Sequence, residues 1–155
     1  MNRRTLLSQT LALAALAGLP ARAEGGRFSV TRTEAEWRAR LSPAAYAVLR
    51  EEATERAGSS PLDKERRPGR YLCAGCDTPL YDAAQKYDSG TGWPSFRDSL
   101  PGAIGTRIDR RFLMTRTECH CATCGGHLGH IFDDGPAPTG KRHCLNGVAL
   151  RFVPA

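Results

Sequence analysis

Two C-x-x-C pairs, Cys73-Ala-Gly-Cys76 and Cys121-Ala-Thr-Cys124, separated by residues 77–120, constrain this chain more than any other feature of its sequence. A pair at that spacing turns tightly enough for both thiolates to reach one ion. Two pairs complete a tetrahedral four-thiolate shell of the kind that holds zinc. The two segments must then meet in space. Because protein fills all four positions, such an ion would stabilise the fold and leave no open site for catalysis. Two other chemistries use the same residues. A disulfide framework suits an exported chain, and a thioredoxin-type redox motif needs one C-x-x-C, although no βαβ pattern surrounds either pair.

The chain of 155 residues is long enough for one domain with its own core. Its glycines have no period and its charged fraction is an ordinary 25%, which excludes collagen-like, coiled-coil and low-complexity classes. Met1–Ala23 reads as an export signal: Arg3-Arg4, a leucine-rich stretch, then Ala21-Arg22-Ala23 as the cleavage pattern. The arginine pair suggests twin-arginine export, and the expected product is soluble and periplasmic. The alternative is an uncleaved amphipathic anchor, since the stretch falls short of the ~20 apolar residues that span a bilayer. Cleavage removes three of the 22 basic residues and no acid, leaving 19 against 16 and a net charge of +3. The remaining basic cluster, Lys64-Glu65-Arg66-Arg67, reads as a solvated linker and not as a nucleic-acid-binding face.

After a flexible lead over 24–32, the domain is expected over 33–155, mainly β with short N-terminal helices. Thr33-Glu34-Ala35-Glu36 is a capping box before Trp37, and Ser42-Pro43 starts a second helix over Ala44–Arg56 that Gly58 stops. From Arg70 the pattern changes to short runs separated by Gly, Pro and Asp. Arg70–Cys73, Thr78–Tyr81, Arg111–Cys121, Leu128–Phe132, Lys141–Leu145 and Val148–Val153 read as antiparallel strands.

Two cysteines remain outside the pairs. Cys144 lies in Arg142-His143-Cys144-Leu145-Asn146, where strand alternation puts Arg142, Cys144 and Asn146 on one face. A cation beside a thiol favours the nucleophilic thiolate. The simpler reading of Cys144, a small buried hydrophobe, fits poorly with polar neighbours on the same face. His127 and His130, in Cys124-Gly-Gly-His127-Leu-Gly-His130, would face opposite ways on a regular strand. They share a cleft only if Gly129 permits a bulge or turn. Otherwise they are a structural and a surface histidine, or metal ligands with Cys119 or Cys121. Trp93, held between Gly92 and Pro94, sits on a constrained turn and either covers the core or walls a pocket for a small apolar group such as a methyl beside sulfur.

Taken together, the paired C-x-x-C motifs, Tyr87-Asp-Ser-Gly-Thr91-Gly-Trp93-Pro-Ser-Phe96, Cys124-Gly-Gly-His127-Leu-Gly-His130-Ile-Phe-Asp-Asp134-Gly, and Arg142-x-Cys144-x-Asn146 with Leu150-Arg-Phe152 closely resemble the peptide methionine-R-sulfoxide reductase family, MsrB. The match runs from about Thr33 to Val153. The resemblance implies a zinc-stabilised fold of two antiparallel β-sheets and reduction of the R epimer of methionine sulfoxide in oxidised proteins. By position, Cys144 would be the catalytic cysteine, and Cys73, Cys76, Cys121 and Cys124 the zinc ligands. Trp93, His127, His130, Asp134, Arg142 and Asn146 would line the pocket. In the expected reaction Arg142 favours the Cys144 thiolate, His130 with His127 donates a proton to the sulfoxide oxygen, and Trp93 packs on the methyl group. Cys144 is left as a sulfenic acid, which a thioredoxin-like thiol donor finally returns to the thiol. A monomer is expected.

One departure matters. Many members of the family carry a resolving cysteine where this chain has Thr91, which forms no disulfide. Cys119 is the remaining intramolecular candidate. On a regular strand it shares the face of Cys121, about 6.6 Å away, and a bridge to Cys144 needs Cα atoms within about 7 Å. The alternatives are therefore a Cys119–Cys144 disulfide and direct reduction of the sulfenic acid by an external thiol. Two non-enzymatic readings remain beside these: a zinc-ribbon binding module and a disulfide-stapled structural protein.

Overall fold

A computed structural model of the chain describes residues 28–155; the export-signal reading and residues 24–27 of the lead lie outside the described residues. Two short helices precede nine strands. α1 (Glu34–Arg40) starts at the expected capping box, with Thr33 accepting from the Glu36 N–H and Glu36 accepting from the Thr33 N–H. α2 (Pro43–Glu51) is capped by Ser42 and ends well before the expected Arg56. The difference has a local cause: Glu52 takes a left-handed conformation (φ 58°), and the Ala53 N–H closes back on the Ala47 carbonyl (3.0 Å), so the chain leaves the helix axis. No helix among the described residues is long and apolar enough to cross a membrane.

The strands are β1 (Gly69–Cys73), β2 (Pro79–Asp82), β3 (Lys86–Tyr87), β4 (Ser95–Phe96), β5 (Ile104–Asp109), β6 (Arg116–Cys121), β7 (His127–Phe132), β8 (Arg142–Leu145) and β9 (Leu150–Pro154). They form a three-stranded sheet of order β2-β1-β9 and a six-stranded sheet of order β3-β4-β8-β7-β6-β5, with every pairing antiparallel, as the sequence led one to expect. The expected strand over Arg111–Cys121 is in fact a 3-10 turn (Arg111–Leu113) followed by β6, and Val148–Val153 is a 3-10 turn (Gly147–Ala149) followed by β9. β5 escaped the sequence reading because it is an edge strand: none of its residues is buried, so it carries no apolar face to recognise.

The core lies between the sheets. Tyr71 and Tyr81 of the small sheet meet Phe96 of the large one edge-on and tilted, at ring-centroid distances of 4.9 and 4.5 Å, and all three are fully buried. The Tyr81 hydroxyl bonds His143 Nδ1 on β8 (3.0 Å), so the one buried phenol of this cluster with a partner takes it from the opposite sheet. The helices cover the other end through Trp37, Leu41, Val48 and Leu49. The lead, from Phe28, lies along the second C-x-x-C turn: the Val30 N–H donates to the Thr123 carbonyl (3.0 Å) and the Phe28 ring packs edge-on against His120 (5.7 Å). Phe96→Ala removes the ring that joins the two sheets and should cost about 3–5 kcal/mol of stability. Urea unfolding reads this directly, and a loss under about 1 kcal/mol would mean that the sheets are joined elsewhere.

Candidate active site

The large sheet has one polar row across all six strands. Pair by pair, Tyr87 (β3) faces Ser95 (β4), Ser95 faces Cys144 (β8), Cys144 faces His130 (β7), His130 faces Glu118 (β6), and Glu118 faces Arg107 (β5). Residues paired across antiparallel strands point to the same face, so the thiol, an imidazole and a carboxylate stand side by side. The flanking residues Phe96, His143, Leu145, Gly129 and Cys119 point the other way, into the core. Gly129 is there because β7 and β8 approach closely: a Cβ at this position would lie 2.0 Å from the Cys144 carbonyl oxygen.

The bulge that the histidine spacing called for is present. Cys119 pairs with Gly129 and His120 with His127, so Leu128 is an extra residue on β7. The shift turns His127 to the face of His130, with ring centroids 5.4 Å apart. Each histidine has its own carboxylate. His127 Nδ1 bonds Glu118 Oε1 (2.8 Å) and its Nε2 is buried without a partner among the described residues. His130 Nε2 bonds Asp109 Oδ2 (2.8 Å), which Arg116 also holds (2.6 Å). Hydrogen bonds from the Arg111 N–H and from His130 bring the Asp109 carboxyl down to about 2. Burial lowers the His130 pKa, against the pull of Asp109. At neutral pH His130 is thus a neutral ring that donates its Nε2–H to Asp109, with Nδ1 free to accept. Burial works against ionisation of Glu118, yet His120 close by (3.5 Å), the hydrogen bond with His127 and the charge of Arg107 hold its carboxyl well below the usual range.

Cys144 is partly buried, and burial pushes its thiol above the ordinary value. The Arg142 charge and the nearby Thr91 hydroxyl pull it down without prevailing, and Asp134 adds to the upward shift. Arg142 thus acts in the expected direction, toward the thiolate, but burial outweighs it. The reason is visible in the contacts: Arg142 is clamped by Asp134 through two 2.8 Å bonds and lies 4.4 Å over the Phe132 ring, so much of its field is already answered. A cleft of about 150 Å³ opens beside Cys144, lined by Trp93, His130, Phe132 and Asn146 among others. It adjoins a larger one of about 470 Å³ bounded by β5 and the His127–His130 pair. Asn146, expected on the Cys144 face, lies just past the end of β8 and its side chain is committed to the scaffold: Nδ2 donates to the Leu128 carbonyl (3.0 Å) and Oδ1 accepts the Glu55 N–H (2.9 Å).

Cys119 is not brought to Cys144. It is fully buried on the core face, two strands away, on the side of Tyr81 and His143. Two interstrand steps of about 4.8 Å exceed the Cα separation that a disulfide spans. Thr91, by contrast, lies on the Cys144 side, where its hydroxyl pairs with Ser89 Oγ (2.8 Å). Phe132, Asp109, Glu118 and Arg116 went unnoticed in the sequence. Of these, only Glu118 carried a signal, as a carboxylate beside Cys119 in an otherwise buried stretch of strand.

The four paired cysteines converge. Their sulfurs lie within 4.8 Å of one another, with Cys73–Cys124 at 3.7 Å and Cys76–Cys121 at 3.6 Å. A disulfide needs about 2.05 Å, whereas sulfurs bound at about 2.3 Å to a tetrahedral ion sit about 3.8 Å apart. Both pairs fold as matching turns. The Cys73 N–H donates to the Thr78 carbonyl and the Asp77 N–H to the Cys73 carbonyl, as the Cys121 N–H does to Gly126 and the Gly125 N–H to Cys121. Asp77 and Gly125 both take positive φ, 61° and 70°. The four residues fit a structural metal ion.

The titration of Cys144 follows from its neighbours. Iodoacetamide trapping of Cys144 should accelerate with pH up to an apparent pKa above that of a free cysteine. Arg142→Met should move the midpoint higher by removing the cation, and Asp134→Asn should move it lower by freeing that cation. An unshifted midpoint in both variants would show that neither charge reaches the sulfur.

A family model for the SelR domain matches residues 41–154. Over 124 residues the chain is 48% identical to peptide methionine sulfoxide reductase MsrB of Thiobacillus denitrificans, covering 79% of this chain and 94% of that one. Over 126 residues it is 47% identical to the MsrB protein of Agrobacterium fabrum, covering 81% and 93%. It is also 47% identical to peptide methionine sulfoxide reductase B1, chloroplastic, of Arabidopsis thaliana, covering 84% of this chain but only 64% of that longer protein. With its cysteine cluster, its Cys144–His130 pair and this degree of identity, the chain belongs to the SelR-domain family, that of the MsrB proteins.

Proposed function

We propose that this protein reduces the R epimer of methionine sulfoxide in oxidised proteins, with Cys144 as the attacking group. The cross-strand pairing of Cys144 with His130, at a cleft walled by Trp93 and Phe132, carries the reading. The relatives named above support it. A sulfoxide needs a sulfur nucleophile, a proton for its oxygen and an apolar wall that sorts the epimers. Here the resting thiol supplies both of the first two. Its proton passes to the sulfoxide oxygen through the free Nδ1 of His130, with His127 beside it, as the sulfur attacks. The S–O bond of the sulfoxide breaks, methionine leaves, and Cys144 retains the oxygen as a sulfenic acid. Asp109 fixes the His130 ring during the transfer, and Arg142 with Asp134 steadies the sulfur as charge develops.

Thr91 in place of a resolving thiol, and Cys119 on the far face, favour direct reduction from outside. A thiol of a thioredoxin-like donor attacks the sulfenic acid, releases water and forms a mixed disulfide, which the donor's second thiol resolves. The four-cysteine cluster fits one zinc ion, held by Cys73, Cys76, Cys121 and Cys124, whose chemistry is to hold the two sheets together. The sequence of Met1–Ala23 supports export to the periplasm in soluble form.

Wild-type protein should reduce the R epimer and not the S epimer of an oxidised peptide, and Cys144→Ser should abolish turnover while retaining zinc. Methionine release by that variant would refute the role of Cys144. After one turnover without reductant, a dimedone adduct on Cys144 is expected; a Cys119–Cys144 disulfide in the mass spectrum would overturn the external route. Metal analysis should give one zinc per chain, and chelation should lower the Tm by well over 5 °C, since the binding energy of such a site is folding energy; an unchanged Tm would remove the ion from the fold.

A further inference from the structure

Glu55 belongs to no motif in the sequence and falls in the stretch expected to finish the second helix. In the structure the helix has already ended, and Glu55 makes four hydrogen bonds that join separate parts of the pocket. Its backbone N–H donates to Asn146 Oδ1 (2.9 Å), and its carbonyl accepts from Trp93 Nε1 (3.2 Å). Its carboxylate accepts the Gly147 N–H at Oε1 (2.5 Å) and the Val148 N–H at Oε2 (3.1 Å). Asn146 ties this knot onward to the Leu128 carbonyl (3.0 Å), at the β7 bulge that aligns the two histidines.

We propose that Glu55 is a positioning residue for sulfoxide reduction. Its carboxylate anchors residue 55 to the turn just after Cys144, and its main chain then fixes the Trp93 indole over the cleft. This rests on the function proposed above. The anchor is a strong one for a physical reason. The 3-10 turn Gly147–Ala149 opens with two N–H groups that its own cap, Asn146, leaves unserved by side chain, and the two oxygens of one carboxylate take both. The approach is close enough that a Cβ on Gly147 would lie 1.9 Å from Ser60 Oγ and 3.3 Å from Glu55 Oε1. Residues 52–56 lie in neither helix nor strand. Beyond them the chain is next held when the Gly58 N–H meets the Gly92 carbonyl (2.7 Å). The indole N–H of Trp93 has the Glu55 carbonyl as its acceptor. The position of the ring relative to the Cys144 sulfur therefore depends on where residue 55 is held.

Glu55→Gln keeps the shape but turns an amide N–H₂ toward a backbone donor. Per folded molecule, its kcat/KM on an R-sulfoxide peptide should fall at least about tenfold, the order expected when a reacting group is misplaced, with KM carrying most of the change. The pH profile of Cys144 alkylation should stay that of wild type, because no charge touching the sulfur has changed; a general loss of structure would move it. Trp93→Phe, which keeps an aromatic ring but lacks the indole N–H, should cost a similar factor, and the double variant should cost less than the product of the two. Wild-type kinetics in Glu55→Gln, or losses that multiply, overturn the proposal. Should Glu55→Gln fail to fold, Trp93→Phe with wild-type kinetics overturns it alone. A wild-type protein that reduces neither epimer defeats the function, whereas an active wild type with an indifferent Glu55→Gln defeats only the role of Glu55.

Discussion

The register of the six-stranded sheet is the constraint on which the rest depends. Side chains alternate faces along a strand, so a slip of one residue on β8 would turn Cys144 into the aromatic core and bring His143 to the cleft. Two features pin the register. The aromatic cluster of Tyr71, Tyr81 and Phe96 fills the face between the sheets, and the Tyr81–His143 hydrogen bond crosses from one sheet to the other. On β7 the extra residue Leu128 compensates for a three-residue histidine spacing that a regular strand would waste. Gly129, without a side chain, lets β7 come within reach of the main chain at Cys144.

The electrostatics of the polar face follow one pattern: Arg142, Arg116 and Arg107 are each paired with a carboxylate. Arg142 has Asp134, Arg116 has Asp109, and Arg107 has Glu118. Both histidines are oriented by two of these same acids. Burial raises the Cys144 pKa, and Arg142, already paired with Asp134, does not offset it. In the proposed reaction, which needs both a sulfur nucleophile and a proton, a neutral thiol beside a neutral imidazole would hold all the parts. A resting thiolate would need the proton from elsewhere and would react more readily with stray oxidants.

The cysteine cluster ties this sheet to the rest of the chain. Cys73 ends β1 of the small sheet and Cys121 ends β6 of the large one, so an ion bound between them would cross-link the two layers at the end away from the aromatic cluster. The helices pack on the same turns. The Trp37 ring touches the position of Gly75, the Leu49 side chain that of Gly126, and Arg50 donates to the Cys124 carbonyl (3.1 Å). The tight turns thus serve twice, as ligand geometry and as the glycine-lined floor for the helices.

The sequence by itself determined the elements whose signals are local. The capping box, the two C-x-x-C turns and the alternation around Cys144 rest on contacts within a few residues, and the structure contains them at the expected positions. It also carried the condition for the histidines to meet, because their spacing is incompatible with a flat strand. Tertiary structure decided whatever depends on partners far away in the chain. That β5 forms with no apolar face, and that Asp109 and Glu118 orient the histidines, both depend on neighbours brought in by strand pairing. The ionisation of Cys144 belongs to the same class. Arg142 lies two residues away in sequence, but burial and Asp134 set the balance, and a pKa sums over space and not along the chain. Cys119 shows the limit most clearly: its distance from Cys121 was fixed by the backbone, whereas its separation from Cys144 was fixed by the strand that came to lie between them.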